Sequence, residues 1–161
     1  MPVEIERRFL VTSAAWRVAA LGEAVPIRQG YVADGTEAGM SVRVRLSGER
    51  AWITLRSRGL LTRAEFEYPI PVTDAEALLA GHCVTPPLAK RRTRVHHAGL
   101  IWEVDEFEGH LSGLVLAEVE LADAAQNVAL PSWVGIEVTQ DPRFQNTALA
   151  RAAAVPDPLP P

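Results

Sequence analysis

The feature that most constrains this sequence is a charge that repeats at every second residue along a series of short segments. In VEIERRFLV (3–11), Glu4, Glu6 and Arg8 alternate with residues that are apolar, except for Arg7. The same alternation recurs in MSVRVRLSG (40–48), AWITLRSRG (51–59), RAEFEYPIPV (63–72), KRRTRVHH (90–97), LIWEVDEFEG (100–109) and LVLAEVELA (114–122). Because successive side chains of a β-strand point to opposite faces, the pattern predicts strands with one apolar and one charged face.

The remaining segments complete a mainly β (α+β) fold. VPIRQGYVA (25–33) and WVGIEVT (133–139) are also predicted to be strands. Short helices are expected over 12–21, 73–81 and 142–153. About eight strands separated by turns are typical of an antiparallel sandwich or barrel, since the alternating helices of a doubly wound fold are missing.

The charged faces carry like charges at neighbouring positions, which ordinary solvated faces avoid. Arg43 and Arg45 share one predicted face, and Glu118 and Glu120 share another. Like charges side by side repel each other and do not stabilise a sheet. A solvated outer face is the simpler interpretation, but a site for a polyanion together with divalent cations would explain both signs. We therefore predict an eight-stranded antiparallel β-barrel tunnel with a charged interior and a few flanking helices.

The composition argues against a nucleic-acid-binding protein and against a membrane-spanning one. The net charge is −4, from 16 basic and 20 acidic residues, so no overall basic excess indicates a nucleic-acid partner. No apolar run approaches the roughly 18 residues of a membrane span. The acidic start of the sequence and its single cysteine, Cys83, lead us to expect a cytoplasmic location. We expect one domain over 1–155 and a disordered proline-rich tail over 156–161.

The two kinds of charged pair suit different parts of one ligand. The planar guanidinium of arginine donates two hydrogen bonds at once to phosphate oxygens. Paired carboxylates suit Mg²⁺ or Mn²⁺, which take hard oxygen ligands and bridge phosphates. Each pair alone is a weak signal, but their recurrence on successive strands favours a phosphate site with a divalent metal.

Motifs along nearly the whole chain resemble the CYTH superfamily, the triphosphate tunnel metalloenzymes. The segments that carry the resemblance are VEIERRFLV (3–11), RQGYV (28–32), SVRVRL (41–46), ITLRSRG (53–59), RAEFEYPI (63–70), RRTRV (91–95), WEVDEFEGHLSGLVLAEVEL (102–121) and EVTQDPRFQNTALA (137–150). They are closest to the short bacterial, inorganic triphosphatase-like branch. The resemblance implies an eight-stranded tunnel that binds a triphosphate along its axis.

The resemblance also assigns roles by position. Implied substrate-binding residues are Arg8, Arg28, Arg43, Arg45, Arg56, Arg92, Arg94 and Arg143. Implied ligands of Mg²⁺ or Mn²⁺ are Glu4, Glu6, Asp105, Glu118 and Glu120, with Arg63, Glu65 and Glu67 in supporting positions.

The chain departs from the family where lysine is usual, because Arg8 and Arg92 stand there instead. Lysine can act as a base when burial lowers its pKa, whereas arginine cannot near neutral pH. Lys90, the one lysine, shares a predicted face with Arg92. We expect Arg8, Arg92 and Lys90 to be the catalytic basic residues. If the exchanges changed the mechanism, restoring lysine at both positions should raise activity at alkaline pH. If they reflect genome composition, activity should barely change.

The predicted function is divalent-metal-dependent hydrolysis of a triphosphate, with inorganic triphosphate converted to pyrophosphate and phosphate. Alternatives within the family are a thiamine triphosphatase and a class IV-type adenylate cyclase. The non-enzymatic alternative is a polyphosphate- or nucleotide-binding module. The expected partner is a small-molecule triphosphate, with no nucleic acid and no membrane, and the sequence leaves monomer and homodimer open.

Overall fold

The charged segments form one antiparallel sheet that closes on itself in the computed structural model, which describes residues 2–37 and 39–158. The strands are β1 (Val3–Val11), β2 (Val25–Asp34), β3 (Met40–Ser47), β4 (Arg50–Ser57), β5 (Thr62–Ile70), β6 (Leu88–His97), β7 (Leu100–Phe107), β8 (Val115–Glu120) and β9 (Val134–Glu137). Their order is β5-β4-β3-β2-β6-β7-β8-β1-β9, and β1 also pairs with β5. Strands β1–β8 therefore close the predicted eight-stranded barrel.

Strand β1 divides one of its edges between two partners. Its first half pairs with β5, where Glu4 lies opposite Arg63. Its second half pairs with β9, where Phe9 lies opposite Glu137. The other edge of β1 pairs with β8. The barrel is thus closed by only a short stretch of β1–β5 pairing, and β9 covers the edge of β1 beyond it.

Cross-strand pairs show that the charged faces point inward. Arg8 lies opposite Glu118, which lies opposite Glu103 on the next strand. Arg45 lies opposite Gln29. The intervening apolar residues point outward and are covered, as predicted. One outer cluster consists of Phe9, Trp16, Val95, Trp102, Val104, Ala117, Val119, Leu121 and Trp133. A second packs under α1 (Val72–Gly81) and consists of Val44, Ala51, Ala75 and Leu79.

One end of the barrel is filled by an apolar cluster. Its members come from the ends of strands, the following turns and the C-terminal segment: Tyr31, Leu88, Phe107, Leu111, Leu114, Leu116, Val138, Phe144, Leu149 and Ala150. Burial of this much apolar surface favours a solid core at that end rather than an open channel. The charged part of the interior lies beyond it.

The helices are shorter than the sequence predicts, except α1. The segment predicted as a helix over 12–21 forms a 3-10 helix at Ala14–Ala19, whose first turn is capped by the Ser13 hydroxyl. The segment predicted over 142–153 is a 3-10 helix at Pro142–Phe144 followed by α2 (Asn146–Arg151). Gln145 interrupts it because its backbone is extended, with φ −68° and ψ 142°. A further 3-10 turn spans Gly109–Leu111.

Two further expectations concern a membrane-spanning helix and the C-terminal tail. Across residues 2–37 and 39–158, every helix is too short or too polar to cross a lipid bilayer. The proline-rich tail predicted to be disordered over 156–161 is described only as far as residue 158, where it forms no regular element. Residues 159–161 lie outside the described part of the chain.

Candidate active site

A cavity of about 400 Å³ occupies the charged part of the barrel and has an almost entirely polar wall. Its lining consists of Glu4, Glu6, Arg43, Arg45, Arg56, Glu65, Glu67, Arg92, Arg94, Ile101, Glu103, Glu118, Glu120 and Asn146. Most residues predicted to bind phosphate or metal are therefore brought together in one place. These predicted residues come from five strands, which explains why the sequence shows them only as separate groups.

Arginine and glutamate side chains form a network across this wall. The Arg56 Nη2 donates to Glu4 Oε1 at 2.9 Å, and Arg56 also pairs with Glu65. Arg63 Nε donates to the second Glu4 oxygen at 2.6 Å. Arg63 also lines a smaller adjoining cavity of about 160 Å³. These supporting contacts hold the first half of β1 against β5 and fix the orientation of the Arg56 guanidinium.

Arg8 lies behind the cavity wall and uses three nitrogens for three acceptors. Its Nε donates to Glu118 Oε1 at 3.1 Å, and its Nη2 donates to Glu6 Oε1 at 2.8 Å. Its Nη1 donates to the Phe144 carbonyl oxygen at 2.8 Å. Arg8 thus connects two acidic residues of the cavity to the C-terminal segment.

The arginines of β3 are less well paired. Arg43 and Arg45 share one carboxylate, that of Glu67, at 3.5 and 3.2 Å. The buried Nε atoms of both arginines have no hydrogen-bond partner within the described part of the chain. Burial, with repulsion from Arg56 and Arg45, lowers the pKa of Arg43 to about 9. A buried cationic pair with free donors fits an anionic ligand with several oxygens.

Carboxylates repel each other at another part of the wall. Glu6 and Glu120 lie directly opposite each other on β1 and β8. Burial, together with the nearby charge of Glu118, raises the pKa of Glu6 to about 7. Burial and the charges of Glu4 and Glu65 raise the pKa of Glu120. A cation placed between these carboxylates would relieve the repulsion.

The acidic residues of the wall fit a divalent cation by the chemistry of their donors. Glu4, Glu6, Glu118 and Glu120 offer carboxylate oxygens, which Mg²⁺ and Mn²⁺ prefer. Within residues 2–37 and 39–158, no three acidic, histidine or cysteine side chains are already grouped around one position. Several of these oxygens are instead paired with arginines, so binding a cation requires small rearrangements of side chains.

Asp105 and Lys90 lie on the predicted inner face but not at the cavity. Asp105 is fully buried and accepts from Lys90 Nζ at 2.6 Å. Its two oxygens also accept from Arg92 Nε and Nη2 at 2.7 and 2.8 Å. Lys90 is not among the residues that line the cavity, and the expectation that it is catalytic stays a prediction. Asp105 is equally withdrawn from the position expected of a metal ligand.

Arg28 and Arg143 both lie outside the cavity. Arg28 is exposed on the outer face of the barrel, where Leu46 and Ala89 are its cross-strand neighbours. Arg143 lies in the 3-10 turn after β9, and its guanidinium pairs with Asp141. Neither residue lines the cavity, which corrects the prediction of an inward-facing Arg28, whereas Arg143 lies directly before α2, as expected, and its role in substrate binding stays a prediction.

Sequence reasoning missed three residues of the cavity wall. Glu103 precedes Asp105 by two positions and shares its face, so the alternation contained a usable signal. Ile101 follows the same alternation but carries no charge. Asn146 comes from α2, and nothing in the local pattern marks it, because the fold alone brings the C-terminal segment to the cavity.

Comparisons with known proteins agree with this geometry. The sequence profile of the CYTH domain matches residues 2–149. An inorganic triphosphatase of Acetivibrio thermocellus is 39% identical over 152 residues, which cover 94% of this chain and 95% of that protein. An inorganic triphosphatase of Nitrosomonas europaea is 43% identical over 152 residues, with coverages of 91% and 96%.

A solved structure extends the likeness to three dimensions. The crystal structure of an inorganic triphosphatase, 39% identical, superposes with a TM-score of 0.66 over 98% of this chain and 99% of that one. The fold of the barrel is thus shared with that structure. The profile match, the identities and the superposition together show that this chain belongs to the CYTH family.

Proposed function

We propose that this protein is a divalent-metal-dependent inorganic triphosphatase that hydrolyses triphosphate to pyrophosphate and phosphate. The observation that carries the proposal is the juxtaposition, in one cavity, of under-paired arginines and of carboxylates whose charge is disfavoured by burial and by neighbouring carboxylates. Arg43 and Arg45 represent the first group, and Glu6 and Glu120 the second. The inorganic triphosphatases that resemble this chain over almost its full length support the same reaction.

The arginines are proposed to bind and orient the phosphates. Arg43, Arg45, Arg56, Arg92 and Arg94 line the cavity and can donate to several phosphate oxygens at once. Phosphoryl transfer depends mainly on positioning and on neutralising charge, and this arrangement supplies both. The carboxylate pair Glu65 and Glu67 keeps the arginines of β3 and β4 in place when no substrate is present.

The cation is proposed to be Mg²⁺ or Mn²⁺, held by Glu4, Glu6, Glu118 and Glu120. Family membership suggests dependence on a divalent metal, and the donor chemistry favours these two ions. When bound, such an ion neutralises charge on the phosphates and lowers the pKa of water. Because arginine does not accept a proton near neutral pH, we assign any proton transfer from water to the cavity carboxylates.

The test is a phosphate-release assay with inorganic triphosphate, thiamine triphosphate and ATP, each with Mg²⁺, Mn²⁺ or EDTA. We expect one phosphate released per inorganic triphosphate, a lower rate with the two organic substrates and no release with EDTA. Binding of triphosphate without any release would overturn the proposal in favour of a binding module. Preference for an organic triphosphate would overturn the substrate assignment.

A matched pair of variants locates the reaction in the cavity. Arg45 and Arg28 lie on neighbouring strands but on opposite faces of the barrel. We expect Arg45→Gln to lower kcat/KM about tenfold to a hundredfold, as loss of a charged hydrogen bond to substrate does. Arg28→Gln should leave it within about twofold. Equal effects of the two substitutions would place the substrate elsewhere.

A further inference from the structure

Lys90 is the only lysine of the chain and its ammonium group is buried in the barrel wall. The Nζ atom lies 2.6 Å from Asp105 Oδ2 and 3.4 Å from Asn146 Oδ1. It also lies 5.3 Å from the centre of the Phe107 ring, at the apolar end of the barrel. Only 1% of the side chain is exposed. A charge in such a place is retained only with a partner, and the closest is Asp105.

Asp105 has more cationic partners than one carboxylate needs. In addition to Lys90, it accepts two hydrogen bonds from Arg92 in a bidentate pair. Its side chain is wholly inaccessible to solvent. Attraction to Arg92 and Lys90 outweighs the effect of burial and lowers the pKa of Asp105. The carboxylate is therefore charged, and it always requires at least one cation beside it.

Arg92 is held by three carboxylates and yet faces the cavity. Besides Asp105, its guanidinium pairs with Glu103 and lies 3.4 Å from Glu118. To donate to a phosphate, Arg92 must release some of these hydrogen bonds. If Arg92 were the sole partner of Asp105, that movement would leave a buried carboxylate unpaired, which is strongly unfavourable.

We propose that Lys90 is a positioning residue that acts as the permanent counter-ion of Asp105 and thereby allows Arg92 to turn to the substrate. This inference rests on the proposed function, because it takes Arg92 as a phosphate-binding residue. Lys90 does not touch the substrate. It keeps Asp105 neutralised from behind the wall, and Asp105 in turn anchors the Arg92 guanidinium at the edge of the cavity.

The central experiment is Lys90→Met, which keeps the length of the side chain and removes its charge. Arg92 is then the only cation left beside Asp105 and is held there. We expect KM for inorganic triphosphate to rise roughly tenfold, in the range of couplings between residues in contact, with a smaller change in kcat. Lys90→Arg should restore most of the affinity. The matched control is Arg91→Met, since Arg91 is the exposed neighbour on the outer face.

Double variants separate this role from a structural one. Lys90→Met should have almost no further effect on KM in an Arg92→Gln background, because the residue it acts through is gone. The rise in KM caused by Lys90→Met should also be smaller in an Asp105→Asn background, where no carboxylate needs a counter-ion. An equal rise in KM in the wild-type, Arg92→Gln and Asp105→Asn backgrounds would overturn the inference. So would an unchanged KM for Lys90→Met in the wild-type background.

Measuring affinity separately from phosphate release distinguishes a failure of this inference from a failure of the proposed function. If the wild-type protein releases no phosphate, the proposed function fails, and titration calorimetry with inorganic triphosphate still compares the affinities of the variants. Thermal unfolding shows whether Lys90→Met is folded. If it is not, Lys90→Gln in the Asp105→Asn background is compared with Asp105→Asn alone, and a loss of affinity of about tenfold or more there overturns the inference.

Discussion

Two neighbouring pairs of residues on β1 and β8 differ in one partner and have opposite acid–base character. Glu118 lies opposite Arg8, and Glu120 lies opposite Glu6. Burial opposes the charge of Glu118, but attraction to Arg8 and Arg92 prevails and lowers its pKa well below the usual range. Burial and neighbouring carboxylates raise the pKa of Glu120, and they raise that of Glu6 to about 7.

The difference shows how one strand pair can contain both a structural contact and a binding site. The charge of Glu118 is already compensated by Arg8 in the metal-free protein. Burial and other carboxylates disfavour the charges of Glu6 and Glu120 in the metal-free protein, so a cation bound beside them would stabilise the fold. The next substitutions are designed to break each pair separately.

The largest effect is expected from Glu118→Gln. The substitution weakens the acceptor for both Arg8 and Arg92, so the guanidinium group at the cavity wall and the one behind it lose part of their orientation. We expect kcat/KM for phosphate release to fall by about 10²–10³. Glu49→Gln, on an exposed turn, is the control and should have no effect. A loss of less than about tenfold would show that the Arg8–Glu118 pair does not organise the site.

The same substitution should lower stability in a defined pH range. A carboxyl whose pKa is lowered on folding stabilises the protein above its ordinary value of 4.5, and this contribution is lost as pH falls through the folded value. Glu118→Gln should therefore lower the melting temperature at pH 7. Chemical or thermal unfolding monitored by circular dichroism measures the change, and an unchanged melting temperature would contradict it.

Glu6→Gln should have the opposite effect on the metal-free protein. With a folded pKa of about 7 against an ordinary value of 4.5, Glu6 binds a proton in the fold that the unfolded chain has released. Stability therefore decreases as pH rises between these values. At pH 8 the variant should be more stable than the wild type by about 1–3 kcal/mol, since one pH unit of difference corresponds to ~1.4 kcal/mol.

The phosphate-release activity of Glu6→Gln is the control for its stability. Loss of a proposed metal-binding carboxylate should lower kcat/KM about tenfold to a hundredfold, although the metal-free protein is more stable. Added Mg²⁺ should raise the melting temperature of the wild type more than that of the variant. If Glu6→Gln is less stable than the wild type at pH 8, the two pairs do not differ as described.

Arg8→Lys should have the smallest effect of these substitutions. Lysine keeps the charge but cannot reproduce three hydrogen bonds that diverge from one planar group. We expect kcat/KM to fall roughly threefold to tenfold at every pH, because the contacts of Arg8 with Glu118, Glu6 and the Phe144 carbonyl are only partly kept. A gain in activity confined to alkaline pH would instead support the changed mechanism that the sequence comparison raises.

Which face of each strand points inward could be predicted wherever charge alternates without interruption. Strand β2 lacks such a pattern, because its inward positions are Ile27, Gln29 and Tyr31. Arg28 is the only charge between its ends and therefore suggested the wrong face. Period two is a property of the strand, and one charged residue in an otherwise unpatterned strand does not determine it.

Depth along the tunnel could not be predicted either. Lys90 and Asp105 lie on the inward face, as the alternation indicates, but they lie next to the apolar end. That end is filled by Phe144 and Leu149 from the C-terminal segment, more than thirty residues after Asp105 in the sequence. Whether an inward residue meets solvent or a packed core depends on such distant contacts, which no local pattern contains.

The divided edge of β1 has a consequence for how the protein reaches its native state. Strand β1 pairs with residues 62–64, 116–120, and 134 and 137, so its partners β8 and β9 follow it by more than 100 residues. Contacts between such distant residues are slow to form, because long loops must close first. The hairpins β2–β5 can form early, whereas the cavity exists only after β1 closes the barrel. We expect hydrogen exchange during refolding to protect β3 and β4 before β1, and simultaneous protection would contradict this order.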